Sequence, residues 1–523
     1  MADIILPPLT RRLSITSMTS TQASRREFNR LQKNATEGHL GQVWSDLKLD
    51  LPMPLEKRFV DLKKRLVIPE NYEAVQASWD RLRAVLKEKA TEIEATGPDY
   101  IPTVDFDSIG ADGAWPKDIA DLMKSRGCCV VRGVVSRDQA LKWKADLIAY
   151  VKRHPGVAGI PAPAQDPQIW KVYWTKPQVE GRTHPNMIKV QVAMSKLYSC
   201  DEHTEVDLTS QALYADRFRV RHPGEAGTLP HHLDNGSIER WEDEENSQTF
   251  RAIWEGRWEE YDAFDMNHRA EACIDLYGGP GACSVFRSLQ GWLSLADNGP
   301  KCGTIELLPD IKLSTAYILL RPFFDANNKL DMESTYFYGA DPGFGQVVKP
   351  TWHPDLALSK TVVAAPKAAP GDYVFWHCDM VHKVEEKHEG TSDSSVMYIP
   401  VVPLQAYNIT NLVEQREAFL AGVPPPDMVS KDREETEDKH EDRGRPENIL
   451  TVEGKRIFGL EPFDVKEEGL TRGQRAIRQL ANEALGFDVP ETSPSPVSSA
   501  DSAVAGLHQC ECGHEHDLVS DSD

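Results

Sequence analysis

Apolar and polar residues alternate with two different periods along the chain, and these periods separate a helical part from a strand-rich part. Between residues 55 and 95, apolar side chains recur every three or four positions, which is typical of amphipathic helices, and Pro69-Glu70-Asn71 predicts a break between two of them. We expect these helices to pack against a main domain. The pattern then predicts a strand near residues 100–106, a helix at 115–125, a buried strand at 128–132, a helix at 136–152 with Ser136 as its N-cap, and a closing helix at 472–485.

Short runs of β-type residues dominate the chain from about residue 210 to residue 405. Turn signals such as Pro-Gly, Gly-Gly and Asn-Gly separate them, and many strands of this length indicate an antiparallel sandwich or jelly roll. We therefore predict an α+β fold with a jelly-roll core and flanking helices. The predicted strands are residues 212–220, 285–295, 303–308, 316–320, 361–364, 372–377 and 396–402.

Composition and charge exclude several classes of function. The 523 residues carry a formal net charge of -22, and a surface with that surplus of acids repels a phosphate backbone, so we expect no nucleic-acid partner. No apolar run approaches the roughly 18 residues of a membrane span, so we expect a soluble protein without a membrane partner. The nine scattered cysteines fit a reducing, cytoplasmic location, with mitochondrial import as a minor alternative because residues 4–26 are basic and rich in Ser and Thr.

The same patterns predict three segments. Residues 1–97 are expected to form a helical extension with a disordered start, residues 98–488 one large jelly-roll domain, and residues 489–523 a disordered Ser/Pro-rich tail. The tail contains a Cys/His cluster at residues 508–516, whose sulfur and imidazole ligands could chelate zinc or copper, although no second Cys/His pair completes a folded zinc module.

The most informative stretch is Leu229–Ser237, which contains His232, Asp234 and an Asn-Gly turn signal. Side chains two positions apart leave the same face of a strand, so this imidazole and this carboxylate can converge on one point. They supply two of the three ligands of the 2-His-1-carboxylate triad that binds non-haem Fe(II) and leaves coordination positions open. In isolation the pair is weak evidence for a metal site, because the histidine of a His-x-Asp tripeptide is more often a hydrogen-bonded residue in a loop.

The third ligand is expected within residues 370–384, where Pro-Gly-Asp leads into an apolar strand that carries His377 and His382. Their odd spacing would put them on opposite faces of one unbroken strand, so only one of them should reach the metal. We favour His382, because it follows a loop-like Cys-Asp-Met break and opens a second short strand. His377 is the alternative. This stretch lies near the end of the strand-rich region, so both ends of one barrel would share the metal.

Several stretches of the sequence also resemble a known protein family. The stretches YADRFRVRHPG, PHHLDNGSIERW, FRSLQGWLSL, GTIELLP and GDYVFWHCDMVHKVE are similar, in this order, to the domain-of-unknown-function 1479 family, a branch of the Fe(II)/2-oxoglutarate dioxygenases related to phytanoyl-coenzyme-A hydroxylases and clavaminate synthase-like enzymes. The resemblance covers residues 100–470 approximately. It implies a double-stranded β-helix that holds Fe(II) through His232, Asp234 and His382, with 2-oxoglutarate and O₂ as co-substrates.

A basic residue should bind the far carboxylate of 2-oxoglutarate, and a planar guanidinium suits that pairing. In many related oxygenases this residue follows the second histidine on the last strand, but residues 389–398 contain neither Arg nor Lys. We favour Arg287, which lies in a strand-like run; a surface salt bridge is its alternative role. The rival residues for the anchor are Arg219, Arg221, Arg321 and Lys383.

Three further cations stand out because of their spacing. Arg217, Arg219 and Arg221 alternate with apolar residues and are predicted to share one face of a strand. We interpret that face as solvated or ion-paired, given the surplus of acids. Binding of an acidic substrate or co-substrate is the alternative.

Together these residues predict an Fe(II)- and 2-oxoglutarate-dependent dioxygenase that hydroxylates or oxidises an unidentified small molecule, with release of succinate and CO₂. No catalytic residue is assigned beyond the metal ligands. Two alternatives stay open: a non-catalytic β-barrel protein that binds a ligand, and a zinc-dependent enzyme that uses the same His/Asp/His site. The sequence predicts neither the substrate nor the oligomeric state.

Overall fold

The N-terminal helices begin and end close to the predicted positions. Helices Arg58–Leu66 and Tyr72–Thr96 are separated by a 3₁₀ turn at Pro69–Asn71, as the sequence predicts. Apolar residues at helical spacing, including Val75 and Trp79, are fully buried in the core. The structure is a computed structural model that describes residues 52–160, 167–227, 229–278, 283–428 and 435–488. The basic start of the chain and the predicted Cys/His tail lie outside these described residues.

Helix Arg137–Arg153 illustrates how the sequence sets an element boundary. The side chain of Ser136 accepts a hydrogen bond from the backbone N–H of Gln139 at 3.3 Å and so satisfies one of the free N–H groups of the first turn. The helices are α1 (Arg58–Leu66), α2 (Tyr72–Thr96), α3 (Lys117–Arg126), α4 (Arg137–Arg153), α5 (Lys176–Arg182), α6 (Pro185–Ser195), α7 (Glu239–Glu242), α8 (Glu244–Gln248), α9 (Arg251–Trp254), α10 (Ile311–Leu320), α11 (Leu358–Thr361), α12 (Ala406–Ala421), α13 (Val452–Ile457) and α14 (Arg472–Ala484).

The strands form two large sheets and one small sheet. The larger has eight strands in the order β1-β2-β12-β8-β14-β6-β4-β3, the second has five in the order β10-β7-β13-β9-β11, and β15 pairs with β5. The strands are β1 (Thr103–Asp105), β2 (Cys128–Arg132), β3 (Gly159–Ile160), β4 (Ile169–Trp170), β5 (Val206–Gln211), β6 (Phe218–Arg221), β7 (His232–Leu233), β8 (Leu289–Ser294), β9 (Ile305–Leu307), β10 (Gln346–Val347), β11 (Val363–Ala364), β12 (Tyr373–His377), β13 (His382–Val384), β14 (Ser394–Tyr398) and β15 (Pro403–Gln405).

Antiparallel pairing dominates both large sheets. Only β1 and β2 pair in parallel among the strands that the structure describes, and every other neighbouring pair is antiparallel. The predicted α+β class with flanking helices is therefore confirmed. The sheets contact each other near the candidate site, where the rings of Trp376 on β12 and His382 on β13 lie 5.3 Å apart.

One predicted strand is wrong, and a second is confirmed only at its end. Residues 316–320 belong to helix α10, which is buried on all sides, so its sequence has no polar face that would reveal a helical period. Asp310 caps this helix by accepting from the N–H of Leu313 at 3.2 Å. Residues 212–217 are irregular, and strands flank them as β5 and β6. The other predicted runs contain or overlap β8, β9, β11, β12 and β14.

The described residues up to Phe487 belong to one compact unit. Trp79 of the N-terminal helices and Trp292 of the eight-stranded sheet are buried in the same hydrophobic core. Among the described helices, none combines the length and the apolar character that crossing a membrane requires. The cysteines of the described ranges are all free thiols.

Candidate metal centre

A pair of short strands brings two histidines together. Strand β7 pairs with β13 in the five-stranded sheet, and His382 lies directly opposite His232 in the antiparallel register. Directly opposed side chains project from the same face of a sheet. Their rings are accordingly neighbours, with centroids 4.1 Å apart.

Asp234 follows immediately after β7 and completes the cluster. Its Oδ1 atom lies 3.8 Å from His232 Nε2 and its Oδ2 atom 3.5 Å from His382 Nε2. One donor atom from each of the three residues lies within 4.8 Å of the others, which is close enough for the three to share one cation. Both imidazoles are buried, whereas the carboxylate keeps 28% of its side-chain surface exposed. The cluster therefore opens to solvent on the side of Asp234.

The two imidazoles are held with the same nitrogen turned toward the cluster. His232 Nδ1 lies 2.7 Å from the carbonyl oxygen of Pro230, and His382 Nδ1 lies 2.9 Å from that of Met380. Because a carbonyl oxygen only accepts, each Nδ1 must carry a proton, and in the neutral imidazole this tautomer leaves the lone pair on Nε2. A backbone carbonyl bound to the distal ring nitrogen is a common way of orienting a metal-binding histidine. The donor set thus fits a divalent transition metal.

The electrostatics favour the protonation states that metal ligands need. Burial lowers the pKa of His232 to about 4, and the neighbouring His382 contributes in the same direction, so His232 is neutral at physiological pH. Burial opposes the charge of Asp234, but its interactions with His382, His232 and Arg287 outweigh that effect and hold its pKa well below the ordinary range. A neutral imidazole and an ionised carboxylate are the forms that coordinate a cation.

A buried arginine ties the two ligand-bearing segments together. Arg240 donates from Nη2 to the carbonyl oxygen of Asp234 at 2.6 Å and from Nη1 to that of Gly236 at 2.7 Å. Its Nε donates to Asp379 Oδ1 at 3.0 Å, and Arg269 pairs with the other oxygen of Asp379 at 2.8 Å. Asp379 stands three residues before His382. The segment after β7 and the segment before β13 are therefore fixed to each other through one guanidinium.

His377, the alternative third ligand, lies elsewhere. It is fully buried at the end of β12, where its Nε2 bonds to the carbonyl oxygen of Ala263 at 2.9 Å. Its Nδ1 accepts from the backbone N–H of Asp379 at 3.1 Å. Both ring nitrogens are thus engaged, and the structure brings His382, not His377, to His232 and Asp234. The predicted break between the two histidines is present, because His377 ends β12 and His382 begins β13, and these two strands belong to different sheets.

Arg287, the predicted anchor for 2-oxoglutarate, lies near the cluster. Its charge helps to lower the pKa of Asp234, and its backbone carbonyl accepts from the side chain of Asn235 at 2.6 Å. The guanidinium stacks over the ring of Tyr214 at 5.4 Å, and its Nε atom is buried without a hydrogen-bond partner in the described part of the chain. It is therefore a cation that no carboxylate of the described residues neutralises by direct contact.

The rival cations differ in how fully they are paired. Arg321 donates to the carbonyl oxygens of Trp352 and Phe324, and Lys383 forms an ion pair with Glu306 at 3.0 Å. These interactions give both a structural role. The remaining rivals, Arg219 and Arg221, are buried on β6. Of the face predicted as solvated or ion-paired, Arg217 pairs with Asp216 at 2.9 Å, whereas Arg219 and Arg221 are buried and not solvated.

Two residues that support the site are not evident from the sequence. Arg240 comes soon after the proposed ligand pair, so from the sequence alone it could line the mouth of the pocket or be structural at the start of a helix. The structure turns it inward to Asp379, which no pattern singles out. The available signal is position: Asp379 stands between two histidines in the sequence His-Cys-Asp-Met-Val-His, and Arg240 follows the first ligand pair by six residues.

Comparison with known proteins gives the family. Residues 53–460 match the family model described as Gig2-like, which is well over half of the chain. The chain belongs to the Gig2-like family. The crystal structure of GlcNAc Inducible Gene 2 (GIG2, DUF1479) from Candida albicans is 38% identical to this Gig2-like protein, covers 84% of this chain and 97% of its own, and superposes with a TM-score of 0.76. The family predicted from the similar stretches of sequence is thereby confirmed.

Bacterial proteins share the same architecture with this Gig2-like chain. A crystal structure from Salmonella typhimurium LT2, provisionally described as an oxidoreductase, is 28% identical, covers 78% of this chain and 98% of its own, and has a TM-score of 0.65. The uncharacterized protein YbiU of Escherichia coli (strain K12) is 29% identical over 402 residues, which are 74% of this chain and 92% of YbiU. The fold is thus shared with the solved structures from Candida albicans and Salmonella typhimurium LT2.

Proposed function

We propose that this protein is an Fe(II)- and 2-oxoglutarate-dependent dioxygenase that hydroxylates or oxidises a small molecule. One observation carries the proposal: His232, Asp234 and His382 converge, and both imidazoles hold Nδ1 against a backbone carbonyl and turn Nε2 toward the same point. Two neutral imidazoles and one carboxylate on one side of a metal are the ligand set of non-haem iron oxygenases. The bacterial structure provisionally described as an oxidoreductase supports the same class of reaction.

The ligand set also explains how co-substrates would enter. Three protein donors leave coordination positions free, and the partly exposed Asp234 marks the side from which they are reached. With iron bound, 2-oxoglutarate and O₂ supply the oxidising power, with release of succinate and CO₂. The protein's own residues hold the ligands in place, keep His232 neutral and exclude bulk water from the two buried imidazoles.

We also propose how the two large sheets are arranged around the metal centre. The five-stranded sheet carries both histidines, and the eight-stranded sheet lies against it through Trp376, so we propose that the two sheets are the halves of a double-stranded β-helix around the metal. In this arrangement β7 and β13 are adjacent at one end of the barrel. Arg287, the anchor favoured from the sequence, acts on Asp234 through its charge and is therefore the residue against which any other anchor is compared.

The test is spectroscopic and anaerobic. Fe(II) and 2-oxoglutarate are added to the metal-free protein without O₂, and we expect a visible charge-transfer band from the keto acid bound to iron. Asp234→Ala removes one ligand, so we expect the band to disappear. His231→Ala is the matched control: this histidine precedes His232, leaves the opposite face of the strand and belongs to no metal-binding group of the described residues, so its variant should keep the band.

Three outcomes would contradict the proposal. A band that persists in Asp234→Ala would remove this residue from the ligand set. A wild-type protein that binds zinc in preference to iron, shown by metal analysis after aerobic and anaerobic purification, would favour a zinc enzyme, and a protein that forms no succinate would favour a binding protein.

A further inference from the structure

The inner face of the eight-stranded sheet holds a charged group that the proposed metal centre does not use. Arg219 on β6 is only 8% exposed, yet among the described residues no carboxylate lies within ion-pairing distance of its guanidinium. Its one hydrogen bond, from Nη2 to the carbonyl oxygen of Gly303, is 3.4 Å long, and its Nε atom has no partner. Burial of an unpaired charge is costly, so this guanidinium is expected to meet an anion.

Two more unsatisfied donors share this face. Arg219 lies opposite Val396 on β14, Val396 lies opposite Ser294 on β8, and Gln290 leaves the same face of β8 because it is an even number of positions from Ser294. Trp376 on β12 lies opposite Gln290. The side-chain amide of Gln290 and the indole N–H of Trp376 are both about 95% buried and have no hydrogen-bond partner in the part of the chain that the structure describes.

This face looks toward the metal centre. The Trp376 ring lies 5.3 Å from the ring of His382, and Arg219 reaches Gly303, two residues before strand β9 of the five-stranded sheet. The three groups are a guanidinium, an amide NH₂ and an indole N–H, all of which donate. A ligand that satisfies them must supply acceptors, and a guanidinium in a buried site favours a carboxylate.

We propose that Arg219, Gln290 and Trp376 form a carboxylate-binding subsite whose occupant is the distal carboxylate of 2-oxoglutarate. The inference rests on the proposed dioxygenase function and assigns its co-substrate anchor to β6. It also accounts for the absence of Arg and Lys from residues 389–398, because Arg219 stands directly across from Val396 on that last strand. A neighbouring strand thus supplies the charge at the same place on the sheet.

The subsite can be tested apart from catalysis, with the full chain and three probes. Glutarate has both carboxylates and no keto group, and it is titrated calorimetrically into metal-free protein. In anaerobic Fe(II)-loaded protein, 2-oxoglutarate is compared with 2-oxobutyrate, which keeps the keto acid and lacks the distal carboxylate. We expect 2-oxoglutarate to bind about 100-fold more tightly than 2-oxobutyrate, as a charge-assisted buried pair predicts.

The variants locate the anchor. In Arg219→Met we expect the ratio of the affinities for 2-oxoglutarate and 2-oxobutyrate to fall to nearly one, and we expect glutarate binding to be lost. Arg219→Lys should keep part of the preference and part of the glutarate binding. Trp376→Phe removes the indole N–H donor beside His382 while keeping an aromatic ring, and it should weaken binding of 2-oxoglutarate by about tenfold. Arg287→Met is the comparison variant: if it loses the preference while Arg219→Met keeps it, the inference is overturned and the anchor is Arg287.

The ligand-free variant provides a check on folding. Because Arg219→Met removes an unpaired buried charge, its melting temperature should equal or exceed that of the wild type, and a marked decrease would show that the guanidinium is structural and overturn the inference. Wild-type protein that binds glutarate through Arg219 but does not prefer 2-oxoglutarate over 2-oxobutyrate would assign the subsite to another acid and overturn the occupant. If Fe(II) gives no band while Arg219-dependent glutarate binding persists, the dioxygenase proposal fails and the carboxylate subsite stands.

Discussion

Arg240 is the residue at which the two ligand-bearing segments meet. Its planar guanidinium presents donors in fixed directions, and here they reach two carbonyl oxygens after β7 and one carboxylate before β13. A lysine at this position could satisfy at most part of this set with its single ammonium group. The precision of the candidate metal centre therefore depends on a side chain that does not touch the metal.

We expect Arg240→Lys to fold and to bind metal more weakly. Replacing a residue that orients the ligands typically costs about 10–100-fold in metal affinity. The affinity is measured by competition between the protein and a chromophoric chelator for Co(II). Arg81→Lys is the control, because Arg81 lies on helix α2 and forms an exposed ion pair with Glu259. This variant should bind metal like the wild type. Equal affinities for both variants would show that Arg240 does not position the ligands.

At the residue scale, the sequence predicts the three candidate metal ligands better than it predicts the residues that position them. The two-residue spacing of His232 and Asp234 and the break before His382 are visible in the letters, and the structure brings the three side chains together. The inward orientation of Arg240 is not visible, because it depends on a partner, Asp379, that is 139 residues away in sequence. Contacts of that kind follow from the packing of the two sheets.

At the element scale, predictions succeed where a polar face or a cap marks the period. Helix α4 is predicted almost residue by residue because Ser136 caps it and its exposed face is charged. Helix α10 is mistaken for a strand because it is apolar on every side. Residues 423–447 are rich in proline and charge, a composition typical of a surface loop, yet Glu437 is buried and accepts from the backbone N–H groups of Tyr173 and Trp174. A charged side chain therefore indicates an exposed position only where the fold offers it no buried hydrogen-bond partner.

Helix α1 is anchored by a buried lysine whose charge is costly. Lys63 is fully buried, and its ammonium group donates to Ser334 Oγ at 3.0 Å and to the carbonyl oxygens of Pro322 and Asp331. Burial is the largest influence and lowers the pKa of Lys63 to about 8, and Arg321 acts in the same direction. The neutral amine is thus favoured in the folded protein more than in the unfolded chain.

This shift predicts how stability changes with pH. Between pH 8 and pH 10.5 the unfolded chain holds more protons on Lys63 than the folded protein does, so the contribution of Lys63 to the free energy of unfolding rises with pH in this window. Relative to Lys63→Met, the wild type should gain at most roughly 3 kcal/mol across it, measured by urea unfolding at several pH values. The exposed Lys87→Met should show no such change. A flat difference for Lys63→Met would mean that the ammonium stays charged in the folded protein.

At the scale of the whole molecule, helices α1 and α2 contribute buried side chains to the main hydrophobic core. Trp79 is fully buried, stacks on Phe324 at 4.4 Å and on Tyr317 at 5.0 Å, and donates from its indole N–H to Asn328 Oδ1 at 3.2 Å. Tyr317 belongs to α10, the buried helix of the strand-rich region. The boundary predicted at residue 97 follows from a change of pattern, but the hydrophobic contacts cross it. We therefore predict that the helices and the sheets unfold together.

Trp79→Ala tests this prediction. Loss of the indole leaves a large cavity and removes two stacking contacts, which typically costs about 3–5 kcal/mol, so the variant should unfold at a clearly lower temperature than the wild type. If the helices and sheets are one cooperative unit, calorimetry, far-ultraviolet circular dichroism and tryptophan fluorescence should report a single coincident transition. Leu122→Ala, at an exposed position on α3, should melt like the wild type. A separate early transition confined to the helical signal would instead show that residues before 98 form an independent unit, and the metal affinity of that variant would then be unchanged.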